Sequence, residues 1–316
     1  MTIHIPVMAD EVLAIYESLP DANGSALFID ATLGAGGHAA RVLEKFTASR
    51  LIGFDRDAQA RELAAERLFV YDGRFEIVPR NFSEIGSLSE DEGFRGGCGV
   101  LFDLGVSNMQ IATPERGFSF QSDGPLDMRM NADGERPTAR ELINTLSTEE
   151  LSRIFREYGE ERYAWRIAKG ISAGIKNGEP METTFDLVAM IRRILPAPVQ
   201  RKMGTHPARR VFQALRIAVN SELEEISAGL NGALSVGGGV CAIIVISYHS
   251  LEDRIVKRRF LEWEKEGQGM VYTKHPIVPR ESETEINRSA RSAKLRAFIK
   301  GQAARKSKYK YYDREE

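Results

Sequence analysis

Short apolar runs, each closing on a polar residue, punctuate the first third of the chain. Phe28-Ile29 closes on Asp30, Leu51-Ile52-Gly53-Phe54 on Asp55, and Val100-Leu101-Phe102 on Asp103, while Phe75-Glu76-Ile77-Val78 leads to Asn81-Phe82. Runs of this length between turn residues predict buried strands. Helical spacing fills the intervals. Val12, Leu13 and Tyr16 share one face of a predicted helix over 7–19, ended by Pro20; Val42, Leu43 and Phe46 follow His38; Ala58 to Leu68 is alanine-rich. Strands alternating with helices predict a doubly wound parallel α/β sheet. Ligands of such sheets bind beyond the carboxyl ends of the strands, which is where Asp30, Asp55, Phe82 and Asp103 fall.

The pattern changes after Asp103. Residues 104–136 are irregular and rich in Gly, Ser, Asp, Pro and Met, the composition of a long functional loop. Helical signals then dominate. Thr138-x-x-Glu141 and Ser147-x-x-Glu150 are capping-box patterns, and Leu151, Ile154, Phe155 and Tyr158 keep helical spacing. Further helices are predicted over 163–175 and 185–195, the latter stopped by Pro196 and Pro198. One long helix is expected from Pro207 through Val211, Leu215, Val219, Leu223 and Ile226, ended by the glycines at 237–239. Val240 to Ile246 is a central strand leading into Ser247-Tyr248-His249-Ser250, with a helix to Phe260 and closing strands near Met270 and Leu295. The expected division is a first sheet segment over 1–107, an inserted all-helical domain over 108–211, and a second sheet segment over 212–316 with a basic tail.

The turn after the first strand narrows the chemistry. Gly34, Gly36 and Gly37 allow tight turning and close approach of backbone to a ligand, and a helix starting near His38 offers free N–H groups. A carboxylate at Asp55 can accept from both hydroxyls of an adenosine ribose. The glycine spacing also fits a loose dinucleotide fingerprint. Asp30 opposes that reading, because a carboxylate at the tip of the first strand repels a pyrophosphate. The same carboxylate suits S-adenosylmethionine, with its ammonium and sulfonium. Formal net charge is −2, so any attraction for nucleic acid must be local. Basic residues cluster at Arg192, Arg193, Arg201, Lys202, Arg209 and Arg210, at Arg254, Lys257, Arg258 and Arg259, and in the tail at Arg305, Lys306, Lys308 and Lys310 among tyrosines.

Asp103 and Ser107 follow the fourth strand and are the first candidates to accept hydrogen bonds from a reacting amine; His249 lies at the same edge. Phe118 and Phe120 could stack on a splayed base, and Asp127 and Arg129 could hold a base edge or phosphate. Cys98 and Cys241 are placed at the opposite ends of their strands, which disfavours a thiolate attacking a pyrimidine carbon. They have no metal-type spacing, and reduced thiols point to a cytoplasmic protein. No metal site is expected. No secretory signal is read at residues 1–6, and the longest apolar run is too short to span a bilayer.

Taken together, several of these segments resemble the RsmH (MraW) family of ribosomal RNA methyltransferases. The carriers are His4 to Val7 with Glu11-Val12-Leu13; Asp30 to His38; Asp103 to Ser107; Arg116 to Phe120 with Gly124 to Met130; Gln213 to Asn220; and Ser247 to Arg254. The resemblance implies a class I, Rossmann-like methyltransferase sheet with an inserted helical domain that recognises substrate. It implies S-adenosylmethionine as cofactor and methyl transfer to N4 of a cytidine in the decoding centre, at the P site, of 16S rRNA in the small ribosomal subunit. No membrane and no DNA partner are expected, and a homodimer is compatible with it. Carried over, the cofactor positions are Gly36, Gly37, His38, Asp55, Phe82, Asp103 and Gln110, with Asn108-Met109 standing where relatives often have Ser-Pro. Rival readings are the same fold acting on a protein or small amine, an NAD-dependent oxidoreductase, and a non-catalytic RNA-binding assembly factor.

Overall fold

The computed structural model describes residues 6–301 apart from 21, 23, 91–95 and 133. The basic tail beyond Gly301 and the start of the first family-like segment, at His4 and Ile5, lie outside the described residues. The chain opens with α1 (Ala9–Glu17), β1 (Leu27–Asp30), α2 (Gly37–Lys45), β2 (Arg50–Phe54), α3 (Ala58–Leu68) and β3 (Phe75–Val78). A run of 3-10 turns over Phe82–Glu90 precedes β4 (Gly97–Asp103). Helices follow: α4 (Asn108–Ala112), α5 (Ala139–Thr145), α6 (Thr148–Glu157), α7 (Ala164–Lys176), α8 (Thr184–Ile194), α9 (Ala197–Lys202), α10 (Arg209–Asn220) and α11 (Glu222–Val236). The chain then returns through β5 (Gly237–Ser247), α12 (Ser250–Lys265), β6 (Gly269–Val271), α13 (Glu281–Ile286) and β7 (Lys294–Lys300).

The strands form one sheet in the order β3-β2-β1-β4-β5-β7-β6, parallel except that β7 runs antiparallel to both its neighbours. Val100, Leu101 and Phe102 in β4 and Cys241 to Ile246 in β5 are buried, as central strands covered on both faces must be. Each such fully buried aliphatic or aromatic side chain contributes about 1.5–3 kcal/mol over its exposed state. Register fixes the ligand edge. Asp30 pairs with Gly53 and Leu101, and Asp103 pairs with Ile246. Asp55 and Tyr248 therefore lie just past the strand ends, on the edge that holds Asp30 and Asp103.

Two compact units result, one of residues 1–105 with 223–316, the other of 106–222. The helical unit has its own core, in which Phe155, Ile167, Ile171, Leu187, Ile191 and Leu215 are fully buried.

The helical stretch departs from the expected pattern in three places. The single helix expected from Pro207 is two, because Ser221 takes a left-handed backbone (φ 50°) between α10 and α11. The apolar spacing runs through the break and hides it. Residues 104–136 are not wholly irregular: α4 sits within them. Gly237 to Gly239 do not form a loop but open β5, where the pairing with β4 shifts register between Gly97 and Gly99.

Candidate functional site

The carboxyl edge of the sheet gathers three carboxylates around the glycine turn. Asp30 ends β1 buried, at 3% exposure. Its Oδ1 accepts from the Thr32 N–H at 3.2 Å, and its Oδ2 has no hydrogen-bond partner among the described residues. Burial pushes its carboxyl up to about 6; His38 and the Thr32 N–H oppose the rise, while Asp103 and Asp55 add to it. Gly34 and Gly36 both take positive φ, 52° and 74°, and fold the chain back over the ends of β1 and β2. That turn brings the Gly34 N–H to Asp55, whose Oδ2 accepts it at 2.8 Å while Oδ1 accepts from the Asp57 N–H at 2.8 Å. Burial raises the Asp55 carboxyl against these two bonds.

Gly37 opens α2, which places buried His38 so that its Nε2 lies 3.5 Å from Asp103 Oδ2. The other Asp103 oxygen, Oδ1, accepts from the Tyr248 hydroxyl at 2.6 Å. The Asp103 N–H donates to Thr32 Oγ1 at 2.6 Å, tying the end of β4 to the glycine turn. Phe82 stands edge-on to Phe102, with centroids 5.7 Å apart and planes at 90°. Asp30, Gly34, Gly36, Gly37, His38, Asp55, Phe82 and Asp103 thus belong to one edge.

His249 is the N-cap of α12. Its ring nitrogen Nδ1 faces the Glu252 N–H at 3.5 Å, and Glu252 accepts from the backbone of Tyr248 and His249 at 2.8 and 3.2 Å. Nδ1 serves the cap, while Nε2 is buried 3.2 Å from Glu252 Oε1 without a hydrogen-bond partner among the described residues. Tyr248 and Thr32 were not singled out by the sequence. Tyr248 follows a strand end directly, yet only the β4–β5 register reveals what it meets.

The remaining predicted residues lie in the helical unit. Ser107 and Gln110 cap α4 reciprocally, each N–H donating to the other's side-chain oxygen at 3.1 Å. Phe118 is packed in that unit's core rather than open to a base, with the Arg116 guanidinium 6.0 Å from its ring centre. Asp127 and Arg129 form a fork, Nε to Oδ1 at 2.9 Å and Nη2 to Oδ2 at 2.8 Å, and Arg129 also donates to the Gly134 carbonyl. Burial pushes the Asp127 carboxyl up, but the bonds from Arg129 outweigh it and hold it below the ordinary range. These two residues brace the loop from within, rather than presenting free groups to RNA. Phe120 alone of the four keeps a face beside open space, as described below.

Cys98 lies at the amino end of β4 as expected, but because Gly237 to Gly239 extend β5, Cys241 lies within that strand rather than at its start, six residues before Ser247. Burial pushes the Cys241 thiol up to about 12, so it is no nucleophile at neutral pH.

The sheet order, with its antiparallel seventh strand and acidic edge, defines the class I, S-adenosylmethionine-dependent methyltransferase fold. The model of the MraW methylase family matches residues 1–301, and the chain belongs to that family. Curated relatives bear the name ribosomal RNA small subunit methyltransferase H. The protein of Symbiobacterium thermophilum is 42% identical over 96% of this chain and 99% of its own. That of Geobacter sulfurreducens is 44% identical over 94% and 98%, and that of Mycolicibacterium smegmatis 47% over 81% and 69%.

S-adenosylmethionine is the methyl donor of this family, and the edge fits it. A buried carboxylate oxygen without a hydrogen-bond partner among the described residues, near two further carboxylates, is complementary to the donor's ammonium and sulfonium and unsuited to phosphate. Asp30 and His38 would face that end, and Gly34, beside which a side chain would meet only the Thr32 carbonyl, would leave room for it, while Gly36 packs against Ala64 and Leu68. No helix among the described residues is long and apolar enough to cross a membrane.

Proposed function

We propose that the chain transfers the methyl group of S-adenosylmethionine to the exocyclic N4 of a specific cytidine in the decoding centre, at the P site, of 16S rRNA in the small ribosomal subunit. The names of its relatives support the rRNA, and the surroundings of Asp103 carry the choice of an amine. Bound donor supplies a methyl carbon already activated by its sulfonium. The chain must then bring the acceptor nitrogen to about 3–3.5 Å from that carbon, in line with the bond that breaks.

The cytosine amine is a poor nucleophile because its lone pair is delocalised into the ring. A carboxylate accepting from its N–H makes that lone pair available. Asp103 supplies such a carboxylate at the end of β4. One oxygen is fixed by Tyr248, and a carboxylate retains further lone pairs for an amine. As the N–C bond forms and the C–S bond breaks, positive charge develops on the nitrogen. Asp103 stabilises that charge and receives the departing proton. Asp30, Asp55, His38, Phe82 and the glycine turn hold the donor. The helical unit, Phe120 included, serves recognition of RNA.

Asp103→Asn keeps the shape and removes the charge. Its turnover on small ribosomal subunits should fall by about 100-fold or more, with the protein still folded by circular dichroism. Unchanged turnover would remove Asp103 from the chemistry.

A further inference from the structure

The helical unit holds a cavity of about 630 Å³ that the chemistry above does not use. Val188 and Ala189 of α8 give it an apolar wall, and Phe185, 46% exposed, lies at the same wall. Phe120 faces it from the loop, stacked on His206 with ring centres 4.6 Å apart and planes 8° from parallel. Phe212 supports Phe120 edge-on at 84°. The stack is therefore a braced aromatic surface, not a loose side chain.

Arg192 lies at the same cavity, one turn beyond Val188. Its Nη2 is 3.0 Å from His206 Nε2, and since a guanidinium only donates, the imidazole nitrogen accepts. The Ala208 N–H faces the other ring nitrogen, Nδ1, at 3.3 Å. With Nε2 accepting, Nδ1 carries the one proton of the neutral ring and only faces the Ala208 N–H, and a second proton would have to sit on Nε2 against the guanidinium. Burial and the Arg192 charge push the His206 pKa down accordingly. The positive charge of the cavity is thus that of Arg192. The neighbouring Arg193 pairs with Glu179, whereas no carboxylate pairs with Arg192 among the described residues.

We infer that this cavity binds one nucleotide of single-stranded RNA, the base against the aromatic rings and a neighbouring phosphate on Arg192. The inference rests on the rRNA reading and adds a contact to a nucleotide other than the methylated one. Flat aromatic surface beside an unneutralised guanidinium matches a base linked to a phosphate. An aliphatic peptide side chain would leave the cation without a counter-charge. The Gln121 amide at the cavity offers one donor and one acceptor group to a base edge, so the site should prefer stacking strength over a particular base.

Phe185→Ala and Arg192→Gln test this, both on exposed side chains of α8. Binding of a short fluorescein-labelled single-stranded RNA from the decoding region is followed by anisotropy across a salt series, with abasic versions alongside. Phe185→Ala should weaken binding about 5-fold or more. Arg192→Gln should lower the slope of log K against log salt by about 0.7. One abasic position should weaken the wild type yet leave Phe185→Ala unchanged. Wild-type affinity and slope in both variants, while the wild type binds RNA and methylates subunits, would overturn the site and leave the rRNA reading standing. Loss of binding to a small-subunit protein rather than to RNA would overturn it in favour of a protein partner. If the wild type transfers no methyl to rRNA, the rRNA reading falls and takes this inference with it.

Discussion

The Tyr248 hydroxyl donates to Asp103 Oδ1 at 2.6 Å, joining the ends of β5 and β4 across 145 positions of sequence. Burial, and then the Asp103 charge, push the Tyr248 pKa well above its ordinary value, so the phenol remains a donor. The bond holds one carboxylate oxygen in place.

Tyr248→Phe removes that donor and little volume. A hydrogen bond to a charged group contributes about 1.5–3 kcal/mol, so kcat should fall by about 10- to 100-fold. KM for the donor should change by less than about 3-fold if the tyrosine acts only through Asp103. Steady-state kinetics on small subunits check the split, and an unaltered kcat would show that Asp103 needs no such anchor.

Asp30 makes the free protein pH-sensitive in a defined direction. Its folded pKa, about 6, lies above the ordinary 3.8, so the folded state binds the proton more tightly than the unfolded chain. Stability therefore falls as pH rises from about 4 through 6, and the full cost, about 3 kcal/mol, is present at neutral pH. Asp30→Asn should raise the melting temperature at pH 7.5 and lose that advantage near pH 4, while weakening donor binding. In the wild type, donor affinity should drop as pH falls below 6 and Asp30 loses its charge. Thermal melts and calorimetry at pH 5 and 7.5 read both effects.

Asn220 is the clamp of the loop in the helical unit. Buried at 1% exposure, it accepts from the Met130 N–H at 2.8 Å and donates to the Met128 carbonyl at 2.7 Å, where Met128 itself sits at φ 63°. Asn220→Ala removes both bonds and leaves the buried Met128 carbonyl without this donor, at about 1–3 kcal/mol. The expected result is a lower melting temperature and new proteolytic cleavage near residues 120–135. Intact resistance in that segment would contradict the clamp.

Cys98 and Cys241 should be dispensable. With Cys241 held at about 12 and neither thiol at the carboxyl edge of the sheet, replacing both by alanine should leave kcat within about 3-fold. Loss of turnover in the folded variant would reopen methylation at carbon.

What the sequence made legible was local. β1, β4 and β5 read as apolar runs because these central strands are buried on both faces, and Asp30, Asp55 and Asp103 each marked an exit from the core. The capping boxes at Thr138–Glu141 and Ser147–Glu150 are present as read. Features set by distant pairing were not legible. Tyr248 meets Asp103 through a register shared by strands far apart in sequence. Ser221 breaks a helix whose apolar stripe continues past it. The reciprocal cap of Ser107 and Gln110 across the short α4, and the fork between Asp127 and Arg129, were likewise not read from the sequence, which offered these residues only as candidate contacts to substrate or cofactor. In each case a polar residue suited to a ligand was also suited to its neighbour.

The most direct measurement is transfer of labelled methyl groups from S-adenosylmethionine into small ribosomal subunits, followed by nucleoside analysis of the purified 16S rRNA. Label is expected in N4-methylcytidine at a single decoding-centre position, reduced by about 100-fold or more in Asp103→Asn. Label in a C5-methyl or ribose-methyl nucleoside, or in protein, would contradict it.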